Sequence, residues 1–289
     1  MNLSYRCTVC ALSFALTLTT FPSLANAQDR PTRWSRQRET VQLDVETFHS
    51  TQSITLPTSQ TIGKSEFEFE ISHRFFPPLS SGPKGLWGLD GPVLMRLGLS
   101  YGITDRMTVT LARSNRADNI DLQGKFRLPG IRSENFPLTF AVQAGLAWNT
   151  EVPGRVAGDN RNIQYYGQFI FNGLVNDVVA VGLVPSYLHN VDVNTDVSET
   201  NVSLGGYVHF YATEVLALIG EWNASPSRTG FENNTAGLGF QLETGGHFFK
   251  VIVTNSPNIN PSQYLPGTPD PFSADNLRLG FNITRVLSF

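Results

Sequence analysis

The chain has 289 residues, enough for one large domain, with a formal net charge of −3 and only 16% charged residues. This mildly acidic balance gives no electrostatic reason to expect a nucleic-acid partner. After the first residues, no uninterrupted apolar run approaches the roughly 18 residues that a spanning helix needs, which excludes a helical membrane protein.

The first residues predict a secretory signal peptide over 1–27. A short positive region precedes a mostly apolar stretch from Val9 to Leu24, and Ala25-Asn26-Ala27 has the small-x-small form of a cleavage site. A transmembrane anchor is the alternative, but the stretch is short for a bilayer. Cleavage near Ala27 would remove Cys7 and Cys10, so the processed chain would carry no cysteine.

Residues 28–64 follow neither a strand rhythm nor a helical one. They begin with several arginines and continue into a polar stretch in which Ile54 and Leu56 could form one further strand. Pro57 beside them would make that strand a poor member of a hydrogen-bonded ladder. We interpret this segment as a periplasmic lead or as a plug that fills the lumen of a barrel, in preference to additional barrel strands.

From Ser65 onward, apolar residues recur at every second position, which is the period of a β-strand. In the first such segment Phe67, Phe69 and Ile71 share one face, and the intervening glutamates share the other. Twelve segments with this pattern are predicted, at residues 65–76, 93–102, 106–114, 119–128, 138–149, 161–172, 177–189, 198–211, 214–223, 233–243, 247–255 and 275–289.

Long and short connections nearly alternate along these segments, and only the turn around 130–136 departs from the pattern. Short turns at one end, longer loops at the other and an even strand number are typical of outer-membrane barrels. The sequence therefore predicts an all-β fold: a closed antiparallel transmembrane β-barrel over residues 65–289, of about twelve strands with fourteen as the alternative. A secreted β-sandwich also has alternating strands, but its strands are shorter, at about 5 to 6 residues.

The last segment, NLRLGFNITRVLSF, stays apolar at alternate positions to the end of the chain. It resembles the carboxy-terminal signature of bacterial outer-membrane proteins, with the apolar positions Phe281, Ile283, Leu287 and Phe289. The resemblance implies recognition by the barrel-assembly machinery, a place in the bacterial outer membrane and contact with its lipid.

The other faces of the strands carry charges of both signs, which we expect to line the lumen. The candidates are Glu66, Glu68, Glu70, Arg74, Arg96, Asp121, Lys125, Arg127, Glu221, Glu243, Lys250 and Arg278. Equal numbers of acids and bases suggest that many pair across strands, with Arg96 and Arg278 as natural neighbours of the glutamates on the first strand. The loop with Trp87 and Asp90 is predicted to be external, and Trp87 and Leu89 suggest that it folds back over the barrel mouth.

Four stretches resemble an uncharacterised family of predicted membrane-bound β-barrels, a domain of unknown function. They are SHRF (72–75), GLDGP (88–92), RLGLSYGITDRMTV (96–109) and LARSN (111–115). The resemblance is carried mainly between Phe48 and Asn115. It implies a barrel and supplies no activity.

The residues themselves predict neither an enzyme, a metal site nor a cofactor. Barrel lipases resemble one another in having His and Ser two positions apart on an outward strand face, and no His-x-Ser occurs here. The leading hypothesis is a small-solute channel or transporter with a charged lumen, gated by the long loops 77–91 and 256–274. A closed scaffold or binding barrel for an exported partner is the alternative, and a lipid-modifying enzyme with its site near His73 is the weaker third.

Overall fold

The computed structural model describes residues 46–288. The predicted signal peptide, the arginine-rich start of the 28–64 segment and Phe289 lie outside the described residues. Within them, no helix has the length and apolar character to cross a bilayer.

Twelve antiparallel strands form a closed barrel in which each strand pairs with its neighbours in sequence and β1 pairs with β12. This confirms the predicted fold class and the number twelve. The strands are β1 (Phe67–Phe75), β2 (Val93–Thr104), β3 (Met107–Ser114), β4 (Asn119–Ile131), β5 (Leu138–Asn149), β6 (Ile163–Val175), β7 (Val179–His189), β8 (Thr200–Tyr211), β9 (Leu216–Ala224), β10 (Thr235–Thr244), β11 (His247–Thr254) and β12 (Arg278–Leu287).

The two faces of the wall differ because side chains alternate along each strand. Leu99 on β2 and Leu111 on β3, which are register partners, both point outward and are about half exposed. Ser100 and Thr108 on the same strands point inward and are buried. An apolar outer surface around a polar interior is the arrangement of a barrel that sits in lipid.

The barrel has two distinct ends, which we name by what they carry. The terminus end holds the start of β1, the end of β12 and tight turns such as Gly245-Gly246, where both glycines have positive φ. The loop end holds the longer connections, among them residues 76–92 and 255–277. The connection 132–137 is the longest at the terminus end, and an irregularity between Leu128 and Ile131 precedes it.

Residues 46–64 form a hairpin inside the barrel, here called the lumen hairpin. Its two arms are joined by a bridge between Gln52 and Pro57, and the Ser53 N–H donates to the Leu56 carbonyl at 2.8 Å. Both arms pass Thr139 near the terminus end, since Thr47 and Ser59 each hydrogen-bond to its hydroxyl. The hairpin therefore enters and leaves through the terminus end, and its turn at 53–56 lies deep in the lumen.

The connection between β11 and β12 enters the lumen from the opposite end. Residues 255–268, here called the inner loop, are buried and include the short helix α1 (Pro261–Tyr264). Tyr264 and Leu265 join a buried apolar cluster that also contains Phe48 and Leu56 of the lumen hairpin. The hairpin and the inner loop thus fill the interior from both ends.

The loop 76–92 behaves differently from the inner loop. It contains two short 3-10 stretches, Leu79–Ser81 and Pro83–Gly88, and it leaves Trp87 and Leu89 exposed to 52% and 48%. The mouth of the barrel is occupied by the inner loop, not by Trp87 and Leu89 as the sequence suggested.

Candidate functional site

The candidate site is the lumen wall where it meets the turn of the lumen hairpin. Glu221 of β9 points inward, and its carboxylate accepts backbone hydrogen bonds from Ile54 at 2.8 Å, Thr55 at 2.9 Å and Leu56 at 3.1 Å. The Thr55 hydroxyl donates to the same carboxylate. Successive backbone N–H groups in a turn form a concave anion site, and bonds to an ionised acceptor are stronger than neutral ones.

Two lysines hold the carbonyl groups of the hairpin from opposite walls. Lys125 of β4 donates to the carbonyls of Thr51 at 2.8 Å and Thr58 at 3.0 Å, so that it links the two arms. Lys250 of β11 donates to the carbonyls of Gln52 and Ser53. An ammonium has three donors, which suits it to bind several carbonyls at once.

Neutral groups complete this recognition of the hairpin backbone. The Ile54 carbonyl accepts from the Asn282 amide at 2.8 Å, and the Pro57 carbonyl accepts from the Tyr207 hydroxyl at 2.9 Å. The Ser59 N–H donates to Asn172 at 2.7 Å. Wall side chains therefore bind the main chain of the hairpin almost continuously from Thr51 to Ser59.

Two wall glycines make room for the apolar side chains of the turn. A Cβ at Gly205 of β8 would lie 2.6 Å from a Leu56 methyl carbon, and one at Gly237 of β10 would lie 3.0 Å from the Ile54 terminal carbon. These distances are closer than carbon atoms normally approach. A side chain at either position would have to displace the hairpin residue that faces it, so the two glycines form sockets for residues two positions apart.

Several hairpin side chains also contact the wall through polar groups. Thr51 donates to Glu68 at 2.7 Å, and Gln52 donates to Glu70 at 3.0 Å. Near the terminus end His49 lies 2.8 Å from Glu243 and stacks on a neighbouring tyrosine ring. These contacts involve short hydroxyl, amide and imidazole groups.

The inner loop is held to the same wall by fewer bonds. Arg96 forms an ion pair with Glu70 and donates to Asn260 at 2.8 Å. The Tyr264 hydroxyl accepts from Gln168 at 3.3 Å. One arginine thus connects β1, β2 and the inner loop.

Between the hairpin, the inner loop and the wall of β1–β5, a cavity of about 40 Å³ remains. Its lining includes Thr51 and Thr55 of the hairpin, Ile259 and Pro261 of the inner loop, and Lys125 of the wall. A water molecule needs at least about 10 to 15 Å³ on this measure. The cavity has room for one or a few waters and for no larger solute.

The structure places the predicted lumen residues as follows. Nine are buried and point inward from their strands: Glu68, Glu70, Arg74, Arg96, Asp121, Lys125, Arg127, Glu243 and Lys250. Glu221 points inward with partial exposure, while Glu66 and Arg278 lie at opposite rims. Trp87 and Asp90 lie in the loop 76–92, and Phe281, Ile283 and Leu287 point outward from β12.

Only some of the charged lumen residues pair across neighbouring strands as the sequence predicted. The pair between Arg96 and Glu70 forms, as neighbouring strands allow. Arg278, in contrast, pairs with Asp270 at 2.7 Å and donates to the Phe76 carbonyl. It starts β12 at the loop end, too far along the strand to reach the glutamates of β1. Lys125, Lys250 and Glu221 are engaged with the hairpin backbone.

Sequence reasoning missed the neutral members of the site, above all Gly205, Gly237, Asn172 and Asn282. The sequence shows only that each lies at an inward-facing position of its strand. Many residues at such positions have no contact with the hairpin. Among the described residues, no group of three histidines, cysteines or carboxylates is placed to hold a metal ion. The acidic stretch with Asp196 is instead bound by Arg155 and Arg161.

Three solved structures illustrate what the barrel is similar to. The NanC porin is 8% identical, with a TM-score of 0.46, over 76% of this chain and 98% of that one. An outer membrane channel from Pseudomonas putida F1 is 13% identical, with a TM-score of 0.46, over 79% and 98%. Outer membrane phospholipase A from Escherichia coli is 8% identical, with a TM-score of 0.38, over 78% and 92%. At such identities and scores, these likenesses carry no functional argument.

No curated protein matches the chain significantly. One protein family does match, over residues 48–287, and it is described as a membrane bound beta barrel domain, DUF5777. This match covers most of the chain and confirms the resemblance seen in the first strands. It begins at Phe48, so it includes nearly all of the lumen hairpin as well as the barrel. The chain belongs to the DUF5777 family of membrane bound beta barrel domains.

Proposed function

We propose that this protein is an outer-membrane channel for small polar solutes, held closed by its lumen hairpin and inner loop. The observation that carries the proposal is the polarity of the contact between the hairpin and the wall. Charged and amide side chains line a lumen that is wider than the eight-stranded barrels whose own side chains fill the interior. Withdrawal of the hairpin would expose these polar side chains to water, beside the apolar wall residues that now pack against Phe48 and Leu56.

The wall supports discrimination by charge once the hairpin leaves. Lys125 and Lys250 would lose the carbonyl groups they now hold, and Glu221 would lose its backbone donors. Rings of charged side chains around a narrow water path select permeants by their electric field and by hydrogen bonding. The same residues that keep the lumen closed would then face the solute.

Conductance in planar bilayers tests the proposal. A protease cleavage sequence inserted between Lys64 and Ser65, both exposed, allows the full chain to fold before the hairpin is cut free. We expect low conductance before cleavage and a stable rise once the hairpin has left, limited by the inner loop that still occupies the other end. A matched control carries the same sequence after Gly158 in the exposed β5–β6 loop, where cleavage leaves the hairpin attached.

A closed scaffold or binding barrel is the second candidate, favoured by the small size of the remaining cavity. A barrel that stays non-conducting after the hairpin has been shown to leave would support the scaffold and contradict the channel. A membrane enzyme has less support, because the His73 ring packs edge-on against Phe281 at 4.6 Å between centroids. An unchanged lipid profile in a knockout strain would remove it.

A further inference from the structure

We propose that the lumen is a peptide-binding site, and that short peptides which form a turn with apolar residues two positions apart are the solutes this channel takes. The inference rests on the proposed function, since it names the substrate class of the same lumen. The lumen hairpin then occupies this site in the closed protein, and an incoming peptide can replace it.

The wall binds both the carbonyl groups and the N–H groups of the hairpin main chain. Carbonyl groups of the hairpin face Lys125, Lys250, Asn282 and Tyr207, and its N–H groups face Glu221 and Asn172. A simple anion offers only acceptors, whereas a peptide backbone offers both donors and acceptors along its length. Recognition through main-chain bonds gives affinity that does not depend on one sequence.

The wall has two sockets for apolar side chains of the hairpin turn. The sockets at Gly237 and Gly205 receive Ile54 and Leu56, which lie two positions apart. Ile54 packs on Ile219 and Ile252, which form a separate buried apolar cluster with it. In a peptide site, main-chain bonds give affinity and pockets for particular side chains give specificity.

Short polar side chains flank the two apolar positions. Thr51, Gln52 and Ser59 of the hairpin hydrogen-bond to Glu68, Glu70 and Thr139 of the wall. Farther along the first arm, Phe48 is buried in the apolar cluster of the lumen. The site therefore takes small polar residues next to the turn and a large apolar residue farther from it.

The test uses the full chain with the cleavage sequence between Lys64 and Ser65, cut after folding in detergent micelles. The probe is a fluorescent synthetic peptide of residues 47–62, and its binding is followed by polarisation. We expect saturable binding that is about tenfold weaker for a peptide N-methylated at Ile54 and Thr55, which lacks two charge-assisted donors. Glu221→Gln should weaken binding similarly, while Glu214→Gln in an exposed turn should not.

A second peptide distinguishes a site that binds other peptides from a site that accepts only the hairpin of this protein. It keeps the buried apolar residues Phe48, Ile54, Leu56 and Ile62 and replaces the polar side chains with other small polar ones. We expect it to compete with the probe. The inference is overturned if only the 47–62 sequence competes with the probe. It is also overturned if the cut hairpin does not exchange with excess probe. Absence of peptide binding in a cut barrel that conducts ions overturns it while leaving the channel intact.

Discussion

The carboxylate of Glu221 accepts the backbone N–H of Ile54 at 2.8 Å, and it binds the two following N–H groups as well. Replacement by alanine leaves three N–H groups inside the lumen without this acceptor. We expect hydrogen exchange of the 54–56 amides to quicken by about tenfold to a hundredfold. Mass spectrometry of the exchanged protein measures this, with Glu214→Ala as control. Equal protection in the two variants would show that the turn is held by other contacts.

The hairpin leaves the barrel where its backbone crosses Gly102. A Cβ at this position would lie 1.9 Å from the Gly63 carbonyl oxygen, so Gly102→Ala must displace the backbone of the hairpin or of β2. Overpacking of this kind typically costs about 1 to 3 kcal/mol. We expect faster tryptic cleavage at the exposed Lys64. Gly124→Ala is the matched control, because a Cβ there meets nothing within 4 Å. Identical cleavage rates would contradict this account of the crossing.

The ion pair of Arg96 and Glu70 joins β1, β2 and the inner loop. Arg96→Met leaves the buried Glu70 carboxylate without its counter-ion, which typically costs about 3 to 5 kcal/mol. Urea unfolding in detergent micelles measures the free energy of unfolding. The double variant Arg96→Met with Glu70→Leu should recover much of the loss, since Glu70 is then no longer an unpaired charge. A double variant no more stable than the single one would show that the other interactions of Arg96, with Asn260 and Asp121, carry the effect.

The β5–β6 loop is predicted to loosen in strong acid. Hydrogen bonds from the side chain and backbone of Arg161 lower the pKa of Asp159 from 3.8 to about 2. Because the folded pKa lies below the ordinary one, the stabilising contribution is complete above 3.8 and is lost as the pH falls through about 2.

A spin label at Ala157→Cys reports the mobility of that loop, since the only two cysteines of the chain, Cys7 and Cys10, lie within the predicted signal peptide. We expect its spectrum to change between about pH 4 and pH 2. Asp159→Asn should give a more mobile label at neutral pH and no transition in the acid range. A transition that survives this substitution would have to belong to another carboxylate.

The barrel could be predicted from the sequence because one periodic signal is repeated twelve times. Each inward or outward position follows from its parity, and the proximity of Arg96 to the β1 glutamates follows from the adjacency of consecutive strands. The pairing of Arg278 with Asp270 could not be predicted this way, since Asp270 lies in a connection whose path is set by the inner loop.

The place of residues 46–64 could not be fixed from their own composition. Whether a polar segment lies in solvent or in the lumen depends on partners from strands far apart in sequence, such as Lys125, Glu221 and Lys250. The sockets at Gly205 and Gly237 could not be predicted either. A glycine at an inward-facing position reads the same in the sequence whether or not an apolar side chain faces it.

Both arms of the lumen hairpin leave through the same rim, and this has a mechanical consequence. Tension applied to the chain before Glu46 would load the contacts of the first arm one after another, from Thr47 toward the turn, so that they peel in sequence. Pulling on a segment fixed at opposite rims would instead shear all its bonds together. A modest force from one compartment could therefore extract this hairpin, whereas the same force from the other compartment has no free end to act on.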